Sequence, residues 1–306
     1  MADIQKVLVL GASGDQGLPL VAALLDQGAE VVAGTRRLDA MHDTPYADIE
    51  VLIADIHDQS TLETAFSQVD TVAMHLPFEH NVEVAEAFGR NIAQAAKKVG
   101  LKKIVFNTSC YVADGQDLGL GGHEGRQRIE KQLKESGINY VILRPAVFMD
   151  NQIRVWCKPS IVGQNTFAYP ASNELKISWI SLDDLGKLVA CAALTENVSR
   201  ETITVGGPQA LTGHEIAANM SRAAGRKIVF KSLEPMEFAQ NMSELVTGSR
   251  EVPEVSVYWG MSRFYGWYNE QAVSPLDIDP QGFLDRLPVK LTTHAEWAEQ
   301  QNWDIV

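Results

Sequence analysis

Ile4-Gln5-Lys6-Val7-Leu8-Val9-Leu10-Gly11-Ala12-Ser13-Gly14-Asp15-Gln16-Gly17 opens on an apolar run, breaks at three glycines, and passes into a helical pattern over Gln16 to Gln27. A strand, a tight glycine turn and a helix in that order form the first half of a βαβ unit. The alternation continues outward from it. Glu30 to Ala33, Glu50 to Ile53, Thr71 to His75, Lys103 to Asn107 and Tyr140 to Leu143 read as strands, and Gln59 to Ser67, Val82 to Val99 and His123 to Glu135 as helices between them. Lys176 to Ile180 reads as one more strand, Leu182 to Leu194 as a helix and Thr202 to Val205 as a further strand. The pattern predicts the α/β class: a doubly wound parallel sheet joined to a smaller, mostly helical C-terminal domain. The expected ranges are 1–151 plus about 176–207 for the sheet domain, and 152–175 plus 208–306 for the smaller one. In the latter, Thr212 with Glu215 three residues on predicts a capping box opening a helix over Gly213 to Gly225. Gly115 to Gly125 holds five glycines in eleven residues and reads as a mobile loop.

The turn Gly11 to Gly17 carries the first chemistry. Residues without Cβ let the backbone approach a pyrophosphate, whose charge meets the N–H groups and positive dipole end of the following helix. Gly11, Ser13, Gly14, Asp15, Gln16 and Gly17 are therefore expected to bind a dinucleotide on a Rossmann-type domain. About twenty residues on, where an NAD-specific chain carries an acid for the ribose hydroxyl, stand Arg36 and Arg37. Two guanidiniums there suit the 2'-phosphate of NADP; as an alternative, Arg37 is a solvated surface charge. Asp55 and Ile56 after the third strand are expected beside the adenine, with a plain turn acid as the other reading of Asp55. Leu76 and Pro77 are expected to form a ledge beside the cofactor.

The composition sets bounds. A chain of 306 residues, 45% hydrophobic and 21% charged, has enough apolar surface for a sizeable core. Its formal net charge of -13 argues against a nucleic-acid partner, which needs clustered Lys and Arg. Cys110, Cys157 and Cys191 lack metal-type spacing and read as free thiols of a reducing compartment. No leader pattern and no run of ~18 apolar residues is present, so the expectation is a cytoplasmic protein without membrane contact.

With these motifs in place, the sequence resembles the NmrA-like proteins, a branch of the atypical short-chain dehydrogenase/reductases that includes isoflavone-reductase-like and quinone-reductase-like relatives. The resemblance rests on the glycine turn, Gly34 to Arg37, Ala54-Asp55, Arg128-Ile129-Glu130 to Leu143-Arg144-Pro145 with Phe148 and Asn151, Ile177 to Leu185, Leu211-Thr212 to Gly225-Arg226, and Trp297. It implies a substrate domain at the C-terminal side and a cleft where the nicotinamide meets the substrate. It also places Pro145 and Phe148 beside the nicotinamide.

Short-chain dehydrogenases protonate substrate oxygen with a tyrosine paired to a lysine four residues on. Here Tyr46, Tyr111, Tyr140, Tyr169, Tyr258, Tyr265 and Tyr268 are followed at that spacing by Glu50, Gly115, Arg144, Asn173, Ser262, Asn269 and Ala272. The pair is absent. Ser109 survives at the end of the fifth strand, and Arg126 aligns where reductase members often keep a lysine. A guanidinium positions ribose or an oxyanion but does not give up a proton. His123, one helical turn before it, is then the expected proton donor, against the alternative of a solvated loop histidine. Cys110 reads as a reactive thiol or a buried small residue. Tyr258, Trp259, Phe264, Tyr265, Trp267 and Tyr268 read as a substrate pocket, interdomain core or the interface of a homodimer. The function expected is an NADPH-dependent reductase of a small aromatic or conjugated substrate such as a quinone, enone or benzylic ether. The alternative is a non-catalytic NADP(H) sensor of the regulatory type; a sugar-nucleotide epimerase would need the missing tyrosine.

Overall fold

Every apolar run of the first half becomes a strand. In this computed structural model, which describes residues 4–254 and 256–304, the strands are β1 (Lys6–Leu10), β2 (Glu30–Thr35), β3 (Glu50–Ile53), β4 (Thr71–His75), β5 (Lys103–Asn107), β6 (Tyr140–Pro145), β7 (Thr166–Tyr169), β8 (Glu201–Val205) and β9 (Val229–Ser232). Met1–Asp3, Val255 and Ile305–Val306, which fall in the expected domain ranges, lie outside the described residues. The helices used below are α1 (Gly17–Asp26), α2 (Gln59–Phe66), α3 (Val82–Val99), α4 (Gly121–Glu135), α5 (Lys158–Gln164), α6 (Leu182–Leu194), α7 (Gly213–Ala224), α8 (Pro235–Thr247) and α9 (Val257–Glu270).

Seven strands form one sheet in the order β3-β2-β1-β4-β5-β6-β8, and the pairings among the first six are all parallel. This is a doubly wound Rossmann-type sheet. On one face Leu8, Leu10, Val72, Met74, Ile104, Phe106 and Ile142 pack with Leu62 and Phe66 of α2, Phe88 and Ile92 of α3, and Ile129 and Leu133 of α4. At Gly89 an added Cβ would lie 2.9 Å from the Ile129 Cα, so α3 and α4 meet backbone to backbone. On α6 a Cβ at Gly186 would meet Pro19 of α1 at 2.7 Å, fixing the helix pair of the opposite face. Lys103, at the buried start of β5, donates through Nζ to the carbonyls of Ala192 and Thr195 and so caps the carboxyl end of α6.

The chain divides into two compact units: Met1–Pro145 with Leu182–Thr204 and Gly282–Val289, and Ala146–Ser181 with Val205–Gln281 and Lys290–Val306. The second unit contains helices and a two-stranded parallel sheet of β7 and β9. The sequence reading places no strand at either segment. The Thr212 capping box forms as expected, with reciprocal bonds between Thr212 and Glu215.

Two expectations are corrected. Lys176 to Ile180 is not a strand: its backbone donors go to three separate places, Ile177 to Leu211, Ser178 to Leu276 and Ile180 to Val147, so no ladder builds. The glycine-rich stretch is only partly loop. Gly115 and Gly119 adopt φ of 63° and 64° in open surroundings, but Gly121, Gly122 and Gly125 lie inside α4. A Cβ at Gly121 would fall 2.0 Å from the His80 carbonyl oxygen, and one at Gly122 the same distance from Phe78. These glycines let residues 77–81 cross the start of α4. Among the described residues no helix is long and apolar enough to cross a membrane.

Candidate functional site in the strand-edge crevice

The strand order reverses between β1 and β4, and in an open parallel sheet the crevice beyond the carboxyl ends at such a reversal is where ligands lie. Gly11 leaves β1 with φ 83°, a conformation that suits glycine. At Gly17 a Cβ would stand 2.1 Å from the Gly11 carbonyl oxygen, so the turn closes onto α1 only without one. At Gly14 the nearest protein atom would be 3.4 Å away, ordinary contact, so the protein alone does not demand glycine there. A bare backbone at that position suits the approach of a phosphate instead. The first turn of α1 carries no acidic residue and no side-chain cap, and its positive end faces the turn.

Gln16 ties this turn to the end of β5. Its Nε2 donates to Ser109 Oγ at 3.2 Å, and its Oε1 accepts from Asn107 Nδ2 at 2.8 Å. Asn107 Oδ1 in turn accepts from the Ser109 N–H at 2.8 Å. Ser109 sits at φ 64°, a strained conformation for a residue with a Cβ. The structure thus brings Gln16 and Ser109 together, and Asn107 joins them. Nothing in the sequence marks Asn107, the last residue of β5, for this role.

Arg126 is buried on α4. Its Nη2 donates to the Leu76 carbonyl at 2.8 Å, and the guanidinium lies 5.3 Å from the Phe78 ring centre and 6.0 Å from that of Phe106. Its Nε has no hydrogen-bond partner among the described residues. Leu76 therefore offers its carbonyl to Arg126 while its side chain is buried; Pro77 is exposed. His123 is not a solvated loop histidine. Its side chain is wholly buried in α4, and Nε2 accepts from the Ala113 N–H at 2.9 Å. Burial, helped by the Arg144 cation, lowers its pKa to about 4. The expected proton donor is thus neutral at pH 7 and holds a loop in place. Desolvation pushes the Cys110 thiol up to about 11, so it is protonated at pH 7. Arg144 grips Glu130 through two bonds, Nε to Oε1 at 2.8 Å and Nη2 to Oε2 at 2.6 Å, and so clamps β6 to α4.

At the end of β2, Arg36 and Arg37 are both exposed. Arg37 leans toward Asp39 at 3.6 Å, whereas Arg36 makes no ion pair among the described residues. Asp55 Oδ1 accepts from the His57 N–H at 3.0 Å and lies 2.9 Å from His57 Nδ1. The backbone bond from His57 and the ring beside it hold this carboxyl below its ordinary range. The Ile56 carbonyl accepts from Asn91 Nδ2 at 3.0 Å. Ser13 and Asp15 are exposed on the turn. Pro145 is buried at the end of β6; Phe148 belongs to the second unit, where it bridges Ile180.

The aromatic helix divides by burial. Tyr265 and Tyr268 of α9 are buried, and Tyr265 shares a hydroxyl bond with Tyr169. Tyr169 in turn packs against Phe167, Trp179 and Phe238, so this face is the core of the second unit. Tyr258, Trp259, Phe264 and Trp267 are less buried.

One residue to which the sequence assigns no role lies beside the glycine turn. His75, the last residue of β4, lies against the glycine turn: a Cβ on Gly11 would be 2.7 Å from its Cε1 and 2.9 Å from its Nε2. Its position at a strand end was legible; its contact with Gly11, 64 residues earlier, is set by the β1–β4 pairing.

The sequence matches the NmrA-like family over residues 3–298. The chain belongs to the NmrA-like family. It is 27% identical over 299 residues to an NAD(P)H azoreductase of Xenophilus azovorans, covering 96% of each chain. Its fold is similar to that of an NADPH-dependent quinone oxidoreductase from Escherichia coli solved with NADPH, with a TM-score of 0.78, 22% identity, and 95% and 98% of the two chains covered. It is similar also to NmrA, a negative transcriptional regulator solved with NAD, with a TM-score of 0.75, 13% identity and 99% of each chain covered.

Proposed function

We propose that this NmrA-like protein is an NADPH-dependent reductase of small aromatic or conjugated substrates. The observation that carries the reading is the bare glycine turn at the β1–β4 reversal, with Arg36 rather than an acid at the end of the neighbouring strand. The azoreductase relative, matched end to end, supports the reductase chemistry. When bound, the nicotinamide supplies hydride.

In this reading Gly11 to Gly17 and the start of α1 hold the pyrophosphate, and Arg36 takes the 2'-phosphate with Arg37 assisting. Asp55 and Ile56 flank the adenine. Gln16, Asn107 and Ser109 form the wall on the β5 side, and Pro145 borders the nicotinamide. Arg126 supplies fixed positive charge from a dry site, where a cation acts more strongly than in water. His123 is released from the acid role, because a ring neutral at pH 7 with Nε2 engaged delivers no proton. A reduced quinone or azo nitrogen can take its proton from water. Fluorescence titration and a turnover panel of quinones and azo compounds test the reading: NADPH should bind at least ~10-fold tighter than NADH, and at least one compound should be reduced. Equal affinities would remove the NADPH assignment.

A second reading, a non-catalytic NADP(H) sensor, is favoured by one observation: His123, the expected proton donor, is wholly buried and neutral at pH 7. Tight NADPH binding with no turnover across the panel would select it.

A further inference from the structure

Three histidines are largely withdrawn from solvent, and their ring nitrogens distinguish them. His123 Nε2 accepts from the Ala113 N–H. His294, at the start of the last helix, has Nδ1 3.1 Å from Asn219 Nδ2 and Nε2 2.8 Å from Gln152 Oε1, so its ring is fully engaged within the second unit. His75 differs: among the described residues no hydrogen bond or ion pair engages either nitrogen, and both lie within 3.4 Å of the point where a Gly11 Cβ would stand. A half-buried imidazole with no partner among the described residues, pressed on the bare backbone of Gly11 and Gly14, has its polar edge toward whatever the turn holds.

We propose that His75 is a phosphate-side ligand of the dinucleotide, and that its imidazole takes up a proton as the pyrophosphate settles on the Gly11–Gly17 turn. The inference rests on the reading of the turn as a dinucleotide site. The charged groups facing the ring are Arg126 of α4, which disfavours imidazolium, and Asp15 of the turn, which favours it; β5 presents the neutral Asn107 beside it. Desolvation and Arg126 hold His75 near 4 in the free protein, so the ring there is neutral at pH 7. A pyrophosphate brings two negative charges to the far side of the ring. Opposite charge within hydrogen-bond reach favours the protonated form. The proton comes from solvent and returns to it when the dinucleotide leaves, so cofactor binding is linked to pH through this residue. Gly11 is required for the same reason, since any Cβ there would occupy the space the ring fills.

The test is calorimetric titration with acid-stable NADP⁺ in two buffers of different ionisation enthalpy, at pH 6 and pH 8, on the unaltered protein, His75→Gln and His75→Asn. The 2'-phosphate itself titrates near pH ~6, so the quantity read is the difference between proteins, in which that contribution cancels. The unaltered protein should take up about half a proton or more per NADP⁺ at pH 6 relative to either variant. It should bind at least ~5-fold tighter than the variants at pH 6 and within ~2-fold of them at pH 8. Equal proton uptake in all three proteins, with NADP⁺ still bound, overturns the role of His75 and leaves the dinucleotide site standing. Failure of the unaltered protein to bind NADP⁺ or NADPH overturns both. Unchanged melting temperatures of the variants exclude a folding defect; should both variants unfold, the unaltered protein is titrated with NAD⁺, which lacks the 2'-phosphate, and absence of proton uptake at pH 6 there overturns the proposal.

Discussion

At the residue scale, the two arginines after β2 divide by what surrounds them. Arg37 is drawn toward Asp39, and Arg36 is left to the site and to the field of Asp55. Arg36→Ala should therefore reduce the NADPH preference over NADH by ~10-fold, and Arg37→Ala by less than ~3-fold, on the scale of charge-assisted bonds of roughly 1.5–3 kcal/mol. Fluorescence titration of both cofactors with each variant measures this. A larger effect from Arg37 would reverse the assignment. His123 leads to the opposite kind of prediction. Its ring is locked to Ala113 and neutral, so His123→Gln should keep turnover and its pH profile within about threefold, where loss of a general acid costs ~100-fold or more. The damage should instead appear as a lower melting temperature. The residue type at 123 was legible in the sequence, but its chemistry was not. A histidine in a glycine-rich stretch reads as solvated until the fold shows that α4 starts two residues before it and buries its ring.

Elements show where the sequence carried the argument furthest. α3 spans Val82–Val99 as its periodicity requires: Asn81 Oδ1 caps the Val84 N–H, and Gly100 ends the helix at φ 70°. α4 shows the reverse. Three glycines near its start lower helix propensity, so sequence reasoning assigns them to a loop. They are kept because residues 77–81 cross within reach of their missing side chains. Gly121→Ala should destabilise the protein by about 1–3 kcal/mol despite the better propensity of alanine, because its Cβ meets the backbone carbonyl of His80. Gly115→Ala, strained only by its φ of 63°, should cost about 1 kcal/mol. Denaturant midpoints at constant m-value separate the two; a stabilising Gly121→Ala would show that the crossing can shift without cost.

Over the whole molecule, His75, His123 and His294 have folded pKa values of about 4, 4 and 3, all below the unfolded value near 6.5. Each ring is neutral in the fold. Its contribution to stability is present above pH ~6.5 and is lost as pH falls toward 4, where the unfolded chain binds protons that the folded one does not. Thermal melting should fall by about 5 °C between pH 7 and pH 5, before most carboxylates titrate, and His294→Gln should flatten that slope. A melting temperature independent of pH across this window would mean that the rings are solvated. The sequence by itself determined the doubly wound sheet, the glycine turn and the arginines that follow it. Those features rest on local periodicity and on backbone demands that a few adjacent residues satisfy. Only the tertiary structure decided that Gln16, Asn107 and Ser109 form one network, that Arg126 lies dry beneath Phe78, and that His75 rather than His123 faces the turn. Such contacts join residues tens of positions apart, and strand order and helix packing set them.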